Sequence, residues 1–165
     1  MPGYIIHIAI GKQYAQKNKI TDLNDFIKGI IMPDLLDKRT SHYGNDSSCP
    51  NLKRFLAENN LDSDYNKGYF LHLITDYLFY NKFLECFSEK LYSDYNKLNQ
   101  FLIKKYHIEN IPPEIQDCVG FESGEPIILK PAKICKFIDA VSDLDLSQLS
   151  CLNNFYIKEE TDTTR

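Results

Sequence analysis

No stretch of this chain approaches the roughly 18 consecutive apolar residues that a membrane-spanning helix needs. Its opening, MPGYIIHIAIGKQ, has no basic leader, and its apolar run is short and broken by His7, a poor match to a secretory signal. The expected location is therefore cytoplasmic. There is no block of Lys or Arg that would follow a phosphate backbone: 19 basic and 23 acidic residues are mixed along the chain for a formal net charge of −4. That balance disfavours nucleic acid as a partner. The five cysteines, Cys49, Cys86, Cys118, Cys135 and Cys151, are odd in number and form no CxxC pair, which points to reduced, structural thiols rather than a redox centre or a disulfide frame. Strand-like alternation is scarce as well; only FESGEPIIL suggests an extended, hairpin-like piece. No repeat and no domain boundary is visible.

What remains is helical periodicity almost throughout. With 165 residues and 43% apolar content, the chain is long enough for one domain with a sizeable core. The spacing predicts a first helix from Gly3 to about Lys17. A second begins at TDLNDFIKGIIM, with Thr21 or Asp22 as N-cap, and Pro33 is expected to end it. Asp34 to Pro50, rich in Ser, Asp and Asn, reads as a long exposed loop of the kind that often carries function. NLKRFLAENN is a short helix. Ser63 then caps a long helix from about Asp64 toward Leu91, with a break near Asn81. Further helices are expected at roughly 94–106, 113–119 and 131–141, the last two opening on proline. The expected fold is an all-α, single-domain multi-helix bundle over residues 1–157, with a disordered tail at 158–165.

Within the long helix, GYFLHLITDYLFY places His72 and Asp76 four residues apart, so both project from one face of a helix that is apolar around most of its circumference. An ionised carboxylate buried without a partner costs several kcal/mol even after relaxation. Two compensations are open: a hydrogen-bonded Asp–His core pair, or a metal ion. The ion would need more ligands, and candidates exist. Asp34 follows Pro33, His42 stands in TSHYG, and His7 lies among Ile5, Ile6, Ile8 and Ile10. Each also has a simpler reading, as a turn residue, a solvated loop residue and a satisfied core histidine respectively. His107 reads as a surface residue. Together these side chains form a nitrogen and oxygen ligand set suited to zinc and compatible with manganese, iron or nickel.

The order GYIIHIAIG, GIIMPDLLDKRTSHYG, GYFLHLITDYLFYNKF resembles the zinc-dependent phospholipase C family, whose all-helical fold is shared with single-strand-specific nucleases. The matching segments cover about the first half of the chain. The resemblance implies that Asp34, His42, His72 and Asp76 hold one zinc ion and that His7 shares Asp76 with a second, so one zinc or two is expected. Further family ligands have no counterpart, because only His107 follows Asp76 and no HxxxE occurs. It also implies a metal-dependent hydrolase acting on a small phosphoester or phospholipid-like substrate. In that chemistry Asp34 would accept a proton from water, while Lys38 and Arg39 would hold the phosphate. Tyr43, Tyr69, Tyr77 and Tyr80 are candidates to line a pocket. Two other classes compete. A histidine-aspartate phosphohydrolase needs an adjacent His-Asp dipeptide, which this chain lacks; a non-catalytic helical protein with a structural or vestigial metal site stays open.

Overall fold

A computed structural model describes residues 3–148 together with Leu152 and Phe155. Among these residues the chain forms seven α-helices and no strand: α1 (Tyr4–Lys17), α2 (Leu23–Leu35), α3 (Lys38–Ser41), α4 (Leu52–Glu58), α5 (Asp64–Leu78), α6 (Lys90–Lys105) and α7 (Pro131–Ser142). A π-helical turn, Phe79–Phe83, prolongs α5, and a 3-10 segment spans Pro113–Cys118. The all-α bundle expected from periodicity is what forms. No helix among the described residues is long and apolar enough to cross a membrane. The expected tail at 158–165, Cys151 and the boundary at 157 lie outside the described residues.

Two helices occupy the centre. In α1 the run Ile5 to Gly11 is buried without interruption, and in α5 the same holds from Gly68 to Asp76, the pattern of helices enclosed on all sides. By contrast α6 buries one face, Leu91, Asp94, Tyr95, Leu98, Asn99 and Leu102, at the three- and four-residue spacing of an amphipathic helix packed on a core. Side-chain caps start the helices where the sequence pattern places them. Asp22 accepts from the Asp25 N–H at the head of α2, and Ser63 accepts from the Asn66 N–H at the head of α5, each satisfying a donor that has no partner within its helix.

The α2–α5 crossing fixes the geometry that matters. A Cβ at Gly29 would lie 2.0 Å from the Tyr65 carbonyl oxygen, and one at Gly68 would lie 2.1 Å from that of Phe26. Only glycine permits so close an approach of two backbones. It brings the C-terminal end of α2, which carries Asp34, against the face of α5 that carries His72 and Asp76.

Three expectations are corrected. Helix α2 does not stop at Pro33 but runs through it to Leu35. So near the C-terminus, proline's missing N–H forfeits a single helical bond; the C-cap Leu36 N–H still donates to the Met32 carbonyl, and the last turn is held from outside by the Ser41 hydroxyl, which donates to the Pro33 carbonyl at 2.7 Å. The segment from Asp34 to Pro50 is not a wholly exposed loop. It contains α3, and Ser41 and His42 are buried. FESGEPIIL forms no strand; the N–H groups of Ile127, Ile128 and Leu129 donate instead to the buried carboxylate of Asp94 at 2.8, 2.7 and 3.0 Å. One ionised side chain thereby does the work of a ladder partner.

Candidate metal centre

Four elements meet at one buried point. His7 comes from α1, Asp34 from the end of α2, His42 from the residue after α3, and His72 with Asp76 from α5. The side chains of all five are 0–1% exposed. Asp34, His42, His72 and Asp76 each offer a ligand atom, and these four atoms lie within 4.8 Å of one another. Two contacts involve Asp76 Oδ2: His42 Nε2 at 2.9 Å and His72 Nε2 at 3.2 Å. Asp34 Oδ1 lies 3.5 Å from both imidazole nitrogens, a separation at which the attraction is electrostatic rather than a directed hydrogen bond.

The far nitrogens settle the tautomers. His72 Nδ1 is 2.6 Å from the Ile30 carbonyl, which can only accept, so Nδ1 carries the proton. His42 Nδ1 is 2.9 Å from Ser41 Oγ, and that hydroxyl already donates its one hydrogen to the Pro33 carbonyl. The His42 Nδ1–H therefore donates to Ser41. The Tyr69 hydroxyl donates to the Ser41 carbonyl and steadies the same residue. Both Nε2 atoms are left facing two carboxylates. With neutral imidazoles this would set lone pair against lone pair in a site holding two buried negative charges, an arrangement costing several kcal/mol per ion. A positive charge has to sit among them, either as protons on Nε2 or as a metal ion.

Geometry favours the ion. Six buried side-chain atoms lack a hydrogen-bond partner among the described residues, and all six belong to this group: both nitrogens of His7, both oxygens of Asp34, Nε2 of His72 and Oδ1 of Asp76. Buried polar atoms are otherwise almost always paired. Ligands about 2.0–2.1 Å from a tetrahedral ion stand about 3.3–3.4 Å apart; the four imidazole–carboxylate distances here span 2.9–3.5 Å, and all six ligand–ligand distances are within 4.8 Å. The group can thus bind a metal ion, with Nε2 of two imidazoles and one oxygen of each carboxylate as donors. The Ile30 carbonyl and Ser41 hydroxyl aim those imidazoles in the way that outer partners orient metal-bound histidines.

Electrostatics of the metal-free cluster agree. Burial works against the His72 imidazolium, yet the carboxylates of Asp76 and Asp34 outweigh it and push its pKa up to about 10. His42 is also raised, burial being overcome by Asp34 and Asp76. Burial would raise both acids, but His72, with His42 and His7 behind it, holds Asp34 and Asp76 well below the usual carboxylate range. His7 moves the other way, lowered by burial and then by the charge on His72. Its ring stacks on His72 with centroids 3.7 Å apart and planes 4° from parallel, and its Nε2 lies 3.1 Å from Asp76 Oδ1 without a directed hydrogen bond. It borders the four-ligand group on the Asp76 side.

Comparison with known proteins returns nothing: no protein-family model matches the chain, and no curated protein or solved structure does. The chemistry of the cluster has to be argued from its own atoms.

The other candidates are dispersed. Lys38 and Arg39 are exposed on α3, with Arg39 Nη2 2.9 Å from Asp37 Oδ2. Arg39, Tyr43 and Tyr77 line a cavity of about 710 Å³, while Tyr80 lines another of about 320 Å³ and Tyr69 is buried. None of the four principal cavities is lined by His7, Asp34, His42, His72 or Asp76. Sequence reasoning missed Ser41 as the group that orients His42. Its one available signal was the SH pair itself, since a hydroxyl next to a candidate ligand is placed to bond it.

Proposed function

We propose that Asp34, His42, His72 and Asp76 hold a zinc-type divalent ion and that the protein is a metal-dependent phosphoester hydrolase of the phospholipase C-like kind. The convergence of unpartnered buried donors on one point carries the first half of this reading. Resemblance in the ordered PD, SH and HxxxD segments supports the second. So does the donor set: closed structural zinc sites are typically rich in cysteine thiolate, whereas catalytic ones draw on imidazole and carboxylate. When bound, such an ion polarises a phosphoryl oxygen and lowers the pKa of water.

The chain's own residues have definite tasks in this scheme. His42 and His72 present Nε2 lone pairs because Ser41 and the Ile30 carbonyl hold the protons on Nδ1. Asp34 has two unpartnered oxygens, so one can serve as a ligand while the other accepts the proton that water loses on attack. Lys38 and Arg39, on exposed α3, are assigned to the substrate phosphate; Arg39 must leave its solvent-screened surface pair with Asp37 to do so.

One observation favours a second reading. Every ligand side chain is buried, 0% exposed, and enclosure of this kind suits a structural ion that staples α2, the end of α3 and α5 together. A panel of phosphomonoesters, phosphodiesters and phospholipids assayed with zinc or manganese separates the two. Turnover that disappears in Asp34→Asn supports the hydrolase. A protein that binds its ion and cleaves none of these esters is the staple.

A further inference from the structure

The cavity of about 710 Å³ beside α3 and α4 lies within the usual size of small-molecule sites, about 300–1,000 Å³. Three positive side chains line it, Arg39, Lys53 and Arg54, and among the described residues no carboxylate does. The acids that touch two of these cations approach from outside the lining: Asp37 pairs with Arg39, and Glu58 with Arg54 at 3.8 Å. All four of those side chains are at least half exposed, so each pair is screened by solvent and yields readily to a better anion.

Its wall is equally specific. Tyr43 and Tyr77 are the residues immediately after His42 and Asp76, and both face this space. Tyr43 holds φ at +60°, a strained left-handed conformation for a bulky side chain, of the kind that concentrates at ligand clamps. The surroundings enforce it. The His42 carbonyl accepts from the Asn51 N–H across the loop at 3.2 Å, the Tyr43 hydroxyl accepts from Asn59 Nδ2 at 3.1 Å, and the Arg54 guanidinium stands 6.0 Å from the centre of the Tyr43 ring.

We propose that this cavity binds a small organic anion, one oxyanion group held by Arg39, Lys53 and Arg54 on an aromatic or aliphatic body resting against Tyr43 and Tyr77. None of the metal ligands lines the cavity, so the site stands whether or not the ion binds. Cys49 is exposed and lines the same cavity, whereas Cys118 is exposed elsewhere, which gives a direct readout on the full-length protein. Alkylation by iodoacetamide is followed at each thiol by peptide mass spectrometry, with phenylphosphonate as the probe. Saturating phenylphosphonate is expected to slow alkylation of Cys49 about fivefold or more and leave Cys118 unchanged. The charge-reversed double variant Lys53→Glu, Arg54→Glu, checked for native helicity, should bind the probe at least about tenfold more weakly, a loss of about 1.4 kcal/mol. Phenylacetate in a parallel arm tells a carboxylate from a phosphonate preference, and protection by either supports the site. No protection of Cys49, equal protection of Cys118, equal protection by inorganic phosphate alone, protection that survives charge reversal, or protection that vanishes on chelation would each overturn the proposal.

Discussion

Loading the metal-free protein with zinc should release protons, and the number can be worked out from the cluster. His72 and His42 both carry hydrogen on Nδ1 and turn Nε2 toward Asp34 and Asp76, so without an ion the second proton on each ring is what balances the carboxylates. With its pKa raised to about 10, His72 is almost fully protonated at pH 7. His42 is raised above its ordinary value, near 6.5, at which a group would already be about one-quarter protonated at pH 7. An ion taking the place of both protons therefore displaces about 1.2 to 2 of them at pH 7. Isothermal titration in buffers of different ionisation enthalpy reads this number as a slope. By the same linkage zinc affinity should rise with pH, about 10- to 100-fold per unit near neutrality. The metal-free fold responds in the opposite sense. A raised histidine pKa contributes stability that is complete below the unfolded value of about 6.5 and is lost as pH rises through the folded value, so the chelated protein should weaken between about pH 6.5 and 10. Zinc binding with no proton released would refute the charge balance deduced here.

Other positions give sharper structural tests. Ser41→Ala removes the hydroxyl between His42 Nδ1 and the Pro33 carbonyl; metal affinity should drop about 10- to 100-fold, measured by competition with a chelating indicator, and a change of less than about twofold would deny Ser41 its orienting role. Asp94→Ala leaves three backbone N–H groups without their acceptor, two of them out of free solvent. At about 1.5–3 kcal/mol for a hydrogen bond to a charged group, and less at the exposed end, the loss should be about 3 kcal/mol, or about 6–12 °C in Tm for a chain of this size. Calorimetry should find it with metal content unchanged.

Much of the fold follows from local signals, and what does not follow is long-range. Asp22 and Ser63 cap helices because their side chains answer donors three residues away, a relation contained in the sequence itself. The long helix expected to reach Leu91 with a break near Asn81 instead stays helical through the π-helical turn Phe79–Phe83 and stops at the extended Leu84, with α6 starting afresh at Lys90. Pro33 misled because its effect depends on what holds the last turn of α2, and that is Ser41, eight residues on and on another helix. FESGEPIIL misled because its partner is a side chain on α6 rather than a strand. Of the metal cluster, the residues could be picked out singly as awkward polar groups among apolar neighbours, but their convergence rests on Gly29 and Gly68 letting α2 meet α5 backbone to backbone. The enclosure of the site depends on the packing of α1, with the stacked His7 ring, and no spacing rule carries that information.

Metal content tests the central claim most directly. Protein purified without chelator and without an affinity-tag metal, analysed for elements, should carry roughly one zinc-type ion per chain, as four protein ligands around a single ion require. Asp76→Asn, with native helicity by circular dichroism, should lose it. Native protein that remains metal-free under zinc-replete conditions would contradict the account and leave the cluster as a pair of imidazolium–carboxylate ion pairs in the core.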